Sequence, residues 1–290
     1  MLSECSKVNS IPEFGKNMKS VSKFYLNGTA ITKLPTSIGN LMGLVLLNVK
    51  DCKNLMTLPR TFLNLNSLEK LNLSGCSKLQ KILGAIESLE GLDENGTIKK
   101  LKKLFIRGVK RSSTNPLDLS ITSLSSLCFL SKLETLDLSY CNLNAISNAI
   151  GCLLTLEILI LRGNNFGSFM QRSPDPLEML LTSLSKGSCS LKKLDLSYCN
   201  LNGFSDKIGC LPSLEVLYLS GNKFGYLPES IAQLSNLEYL VLGDCLSLRS
   251  LPKLQHGRLL STIGKWYFVL FTCRMDRGSQ SKLHCKYIQA

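Results

Sequence analysis

The stretch LETLDLSYCNLNAISNAIGCLLTLEILILRGNNFG, residues 133–167, recurs 58 residues later as LKKLDLSYCNLNGFSDKIGCLPSLEVLYLSGNKFG, residues 191–225. A shorter period lies inside each copy. Leu133 to Leu156, Leu191 to Leu214 and Leu214 to Leu237 are each 23 apart, as are Val21 and Leu44, while Leu44 to Leu68 is 24. In every unit the apolar positions follow L-x-x-L-x-L-x-x-(C/N/T), seen as Leu44, Leu47, Val49, Cys52 and as Leu214, Leu217, Leu219, Asn222. The L-x-L alternation predicts a short strand with its leucines on one face. A second apolar group, Leu58, Phe62 and Leu65 or Leu227, Ile231 and Leu234, has the spacing of a helical turn. A unit of 23 residues cannot bury its leucines alone. Stacked units share one continuous core and bring their strands side by side. The predicted fold class is therefore an α/β repeat: a curved solenoid with a parallel sheet of short strands on its concave face.

Composition agrees. Of 290 residues 59 are leucine, so the 44% apolar content rests on one residue type and is ample for a large core. The longest apolar run, Trp266 to Cys273, is eight residues, far short of the about 20 that a spanning helix needs. The first ten residues, MLSECSKVNS, have no apolar signal-peptide core. Of the net charge of +13, residues 249–290 supply +7, with eight Lys or Arg against Asp276, and Lys99 through Arg111 holds seven more bases and no acid. These runs read as solvated charged faces, and no nucleic-acid partner is expected. The 12 cysteines include no CxxC pair, and the two histidines, His256 and His284, both lie in the tail, so neither a metal site nor a cofactor is expected.

The repeat is identified as the leucine-rich repeat. GTAITKLPTSIGNL, LNVKDCKNLMTLPRTF, LNLSGCSKLQKI and LDLSYCNL resemble the repeats of plant intracellular immune receptors of the TIR, nucleotide-binding, leucine-rich-repeat class. Extracellular plant repeats usually carry L-x-G-x-I-P, whereas here Leu-Pro leads into x-x-Ile or x-x-Phe, as at Leu34-Pro35 and Leu58-Pro59. LSECSKVNSI, from Leu2, aligns with LSGCSKLQKI, from Leu73, so residues 1–252 are expected to form a solenoid that starts in the middle of a repeat. Irregular or inserted segments are expected near 92–131 and 170–190, where SSTNP and RSPDP read as loops bulging from the solenoid. Residues 253–290 form a basic, non-repeat tail, expected to be poorly ordered, with Trp266 to Phe271 able to pack as a cap.

In the family, the side chain at the asparagine position hydrogen-bonds the adjoining backbone. That position is held here by Cys52, Cys76, Cys141, Cys199 and Cys245, read as structural core residues, and Cys152 and Cys210 are also expected in the core. Partner binding is expected from the outward positions of the strands. The side chains expected there are Tyr25, Phe105, Asp137, Ile160, Asp195, Tyr218 and Val241, standing in water, with the charged neighbours Arg107, Arg162, Lys193 and Glu215. With strands about 4.8 Å apart, nine of them make a surface roughly 40 Å long, enough for a protein interface. No catalytic constellation is seen, and no GxxxxGK(S/T) phosphate loop occurs, so an enzyme is not expected. The resemblance implies a cytoplasmic protein, with the nucleus as a second compartment. It implies that the segment senses a pathogen effector or a guarded host protein and restrains the nucleotide-binding module of a receptor. The alternatives are an extracellular inhibitor of a pathogen enzyme and a truncated, non-functional gene product.

Overall fold

The computed structural model describes residues 3–16, 18–79, 98, 100–108, 130–146, 148–169, 175–187, 190–249, 251, 267–269 and 288–289. Within these, each L-x-L alternation becomes a three-residue strand: β1 Lys23–Tyr25, β2 Leu46–Asn48, β3 Lys70–Asn72, β4 Lys103–Phe105, β5 Thr135–Asp137, β6 Ile158–Ile160, β7 Lys193–Asp195, β8 Val216–Tyr218 and β9 Tyr239–Val241. They pair in parallel and in chain order, with equivalent positions in register, as Leu194 with Leu217 and Asp195 with Tyr218. Three residues are too few for a stable strand. The ladder is extended on both sides by bonds such as Glu215 N to Lys192 O and Gly221 N to Gly243 O, so that each repeat is tied to the next over about nine residues. The 253–290 segment adds β10, Tyr267–Val269, parallel to β9, and β11, Ile288–Gln289, antiparallel to β10. The rest of that segment, with His256 and His284, lies outside the described residues, as does most of 92–131.

The core is the stack of inward leucines. Leu47, Leu104, Leu136, Leu159, Leu194 and Leu217 are completely buried, and so are Leu161, Leu196 and Leu219 two residues on, as well as Leu26 just past β1. Each contributes about 1.5 to 3 kcal/mol by leaving water. The return path across the convex side is made by 3-10 turns, among them Thr36–Asn40, Arg60–Asn64, Asp206–Cys210 and Glu229–Gln233. Pro35, Pro59 and Pro228 precede three of them at φ near −65°, the angle a proline ring imposes, and Ser205 replaces proline before the fourth, its hydroxyl accepting a bond from Lys207 N. Ile38, Phe62, Ile208 and Ile231 enter the core from these turns.

Within the 170–190 insertion, residues 175–187 are described, and they do not form a loop. Its described part is an α-helix, α1, Pro176–Gly187, whose Leu177, Leu180, Leu181 and Leu184 are buried at i, i+3, i+4 and i+7. Asp175 accepts a bond from Leu177 N, Glu178 stands in the first turn and Lys186 in the last, as the helix dipole favours. The extra residues of this repeat thus replace a five-residue 3-10 turn with a longer helix that packs on the neighbouring turns Asn148–Cys152 and Asp206–Cys210. The contact is close: a Cβ on Gly187 would stand 1.6 Å from Gly151 O.

The opening residues behave as the second half of a repeat. Glu4 adopts a positive φ of +64°, at the position where Gly75 stands at +75° 71 positions later, and Glu4 N donates to Asn27 O. Val8, Ile11 and Phe14 are half-buried against the core, and the Phe14 and Phe24 rings meet edge to face at 5.6 Å.

Candidate functional site on the concave face

Parallel pairing in register turns each position of the repeat into a row of side chains running across the strands. The row at the centre of L-x-L, from Tyr25 through Phe105, Asp137, Ile160, Asp195 and Tyr218 to Val241, is half-buried throughout, not standing in water as the sequence alone suggests. Neighbouring rows shield it. Lys70 Nζ lies 5.5 Å from the Phe105 ring centre and Lys193 Nζ 4.8 Å from that of Tyr218. Asp137 Oδ1 accepts bonds from Ser139 N and Ser139 Oγ, and Asp195 Oδ1 from Ser197 N at 2.9 Å. Asn48 and Asn72 make the same turn to Lys50 N and Ser74 N. One oxygen of each of these side chains therefore ends its own strand, so Asp195 has a structural duty beside any partner contact. Glu215 sits one residue before β8, outside the strand rows. It belongs to a separate row with Glu69, Lys102, Glu134, Glu157, Lys192 and Glu238, linked by backbone bonds and by the exposed ion pairs Glu69–Lys102 at 3.8 Å and Glu157–Lys192 at 3.1 Å.

Along the far ends of the strands runs a side-chain chain that the repeat consensus conceals. Arg107 lies over the Tyr140 ring at 5.1 Å, Arg162 Nε donates to the Tyr140 hydroxyl at 2.9 Å, the Arg162 guanidinium lies over the Tyr198 ring at 4.6 Å, and the Tyr198 hydroxyl donates to Asp244 Oδ2 at 2.6 Å. Its geometry rests on the backbone. The eighth position of the unit takes positive φ in every described repeat, being glycine at 28, 75, 108, 163 and 221, Asp51 and Asp244, and the two tyrosines at +57° and +56°. For so bulky a residue as tyrosine this conformation is unusual. Each tyrosine ring covers the glycine of the next repeat: a Cβ on Gly163 would stand 2.4 Å from the Tyr140 ring, and one on Gly221 2.3 Å from that of Tyr198. The bond to Tyr140 raises the Arg162 pKa further above its usual value, and the bond to the Asp244 carboxylate raises that of the Tyr198 phenol. Tyr140, Tyr198 and Asp244 were not singled out by the sequence reading, although Ser-Tyr-Cys at 139–141 and 197–199 is visibly duplicated.

Under this face the asparagine position closes the turns. Asn164 and Asn222 each make four bonds: Asn222 Oδ1 accepts from Cys199 N and Leu201 N, and its Nδ2 donates to Leu196 O and Leu219 O. Cysteine makes fewer. The thiols of Cys52, Cys76, Cys141, Cys199 and Cys245 donate at 3.1 to 3.3 Å to the carbonyls of Leu26, Val49, Ile106, Leu161 and Leu219 in the preceding repeat. Burial pushes the thiols of Cys76 and Cys199 up to about 12 and those of Cys52 and Cys245 upward, so they remain protonated and unreactive at neutral pH. Cys152 and Cys210 depart from the sequence expectation: each ends a 3-10 turn and is exposed, because the apolar duty of that turn is already met by Ile150 or Ile208 three 3-10 positions into it. Among the described residues no group of His, Cys, Asp and Glu is arranged to hold a metal ion, and no helix is long and apolar enough to cross a membrane.

Comparison with known proteins agrees with this architecture. Residues 1–150 match the family model described as "Disease resistance protein RPS4B-like, leucine-rich repeats", and residues 189–246 match the general leucine-rich-repeat model. TMV resistance protein N of Nicotiana glutinosa is 32% identical over 262 residues, 87% of this chain and 18% of its own length. Disease resistance-like protein DSC1 of Arabidopsis thaliana is 34% identical over 236 residues, 81% of this chain and 15% of its own length. The chain thus spans less than a fifth of these relatives. Among solved structures, a leucine-rich-repeat protein of Leptospira interrogans superimposes with a TM-score of 0.56 at 24% identity, covering 91% of this chain and 66% of that one. The ectodomain of the Arabidopsis thaliana receptor kinase GASSHO1/SCHENGEN3 does so with a TM-score of 0.54 at 25% identity, covering 84% of this chain and 28% of that one. With the repeat, the parallel sheet and these matches in agreement, the chain belongs to the leucine-rich-repeat family of RPS4B-like disease resistance proteins.

Proposed function

We propose that residues 1–252 act as the protein-recognition segment of a plant intracellular immune receptor, sensing a pathogen effector or a guarded host protein and restraining the receptor's nucleotide-binding module. The observation that carries this reading is the continuous concave row from Tyr25 to Val241, in which apolar, aromatic and charged side chains from nine strands are held on one parallel sheet. Such a surface, apolar in places and rimmed by charge, has the makeup of a binding interface. The role needs no bound cofactor and no covalent chemistry, and it is performed in the cytoplasm or nucleus. Co-expression of this chain in leaf tissue with the nucleotide-binding module of a related receptor tests it. The chain is expected to co-precipitate with the module and to lower its spontaneous cell-death output, and Ile160→Ala combined with Tyr218→Ala is expected to weaken both effects. Absence of association, or association indifferent to these substitutions, would remove the proposed role.

A further inference from the structure

The concave face sorts its charges into lanes. The cations form two rows on either side of the central one: Lys70, Lys103 and Lys193 open β3, β4 and β7, with Lys70 and Lys103 register partners, and Arg107 and Arg162 stand two residues past the ends of β4 and β6. Among the described residues none of these five takes part in an ion pair. Four are held instead over aromatic rings, on Phe105, Tyr140, Tyr198 and Tyr218, which positions a cation without neutralising it. The glutamates are collected elsewhere, in the row before the strands. Positive charge is thus oriented and free of direct ion pairs where the sheet is open, with Asp137 and Asp195 as the acids of the central row and Asp195 within electrostatic reach of Arg162.

We propose that these two rows, Lys70, Lys103 and Lys193 on one side and Arg107 and Arg162 on the other, take an acidic stretch of polypeptide laid across the strands, its carboxylates on the cations and its apolar side chains against Phe105, Ile160 and Tyr218 between them. The proposal rests on the reading of the concave face as a protein-binding surface and adds the chemistry of the partner. Guanidinium groups suit carboxylates because the planar fork can donate two parallel bonds. A nucleic acid carries a phosphate at every step and would set some against Asp137, Asp195 and the flanking row of glutamates. A polypeptide can space its carboxylates to avoid them.

The test is a fluorescence-anisotropy titration of the full 290-residue chain with a peptide in which glutamates are separated by leucine and glycine, beside an oligouridylate of equal charge, at low and at physiological ionic strength. The peptide is expected to bind more tightly than the oligonucleotide. Lys103→Gln with Arg107→Gln, both exposed positions, is expected to weaken it about tenfold, whereas Lys207→Gln with Lys223→Gln, away from the strands, is expected to leave it unchanged. Circular dichroism melts of each variant exclude misfolding as the cause. Peptide binding that survives the first pair, as attachment to the basic 249–290 segment would, overturns the proposal, and so does tighter binding of the oligonucleotide. The titration contains no receptor module, so its failure removes the acidic-partner assignment alone. Failure of co-precipitation removes the receptor role and leaves the titration standing.

Discussion

At the scale of single residues the repeat solves one recurring problem in two ways. Below each strand end, backbone N–H and C=O groups of two successive turns face inward, and leaving them without partners costs about 1 to 3 kcal/mol each. Asparagine, with two donors and an acceptor oxygen, meets four of them at Asn164 and Asn222, whereas a thiol meets one or two at Cys141, Cys199 and Cys245. Asn222→Ala is therefore expected to destabilise by about 2 to 4 kcal/mol and Cys199→Ala by about 1 kcal/mol, measured as urea-melt midpoints at constant slope. Equal costs would mean that the amide's bonds add nothing beyond filling space. Outward residues also carry part of the folding energy. Asp195 holds Ser197 N, and Tyr218 lies beneath Lys193, so alanine at either position carries a modest folding cost beside any effect on binding.

At the scale of elements, three-residue strands and five-residue 3-10 turns are stable only because each neighbour supplies the hydrogen bonds and apolar cover that the element lacks. Helix α1 is the exception in length, and its leucine spacing is plain in LEMLLTSL once Asp175 and Pro176 ahead of it are read as a helix entry. Leu181→Ala is expected to cost about 2 to 5 kcal/mol, as for a core leucine, while Glu178→Ala on the exposed side stays within about 0.5 kcal/mol. A melt unmoved by Leu181→Ala would return the insertion to the status of surface decoration.

At the scale of the whole molecule, stacking repeats a local chemistry many times, so small effects add. The buried thiols are the clearest case. In the unfolded chain a thiol ionises near 9.0, whereas in the fold Cys76 and Cys199 hold their protons to about 12. Below pH 9 both states are protonated and pH has no effect through these groups. Above it the unfolded state gives up protons that the folded state keeps, so stability falls as pH rises toward 12, by about 1.4 kcal/mol per pH unit for each such thiol. Urea melts between neutral pH and pH 10 are expected to show this loss, and Cys76→Ala with Cys199→Ala to flatten it. An unchanged slope in the double variant would place the alkaline sensitivity elsewhere.

The sequence by itself determined the period, the strand and turn of each unit, the inward leucines and the parallel stacking, because these follow from which residues must leave water at fixed spacing. The concave row was legible for the same reason: alternation assigns the face of every strand residue, as at Leu217 and Tyr218. The exposure of Cys152 and Cys210, the burial given to Asp195 and Tyr218, and the chain from Arg107 through Tyr140, Arg162 and Tyr198 to Asp244 were decided only by tertiary structure. Those contacts join residues from 22 to 46 positions apart through rotamers and positive backbone angles. A repeat pattern records which side a residue faces, and only the packed neighbours set what it meets there.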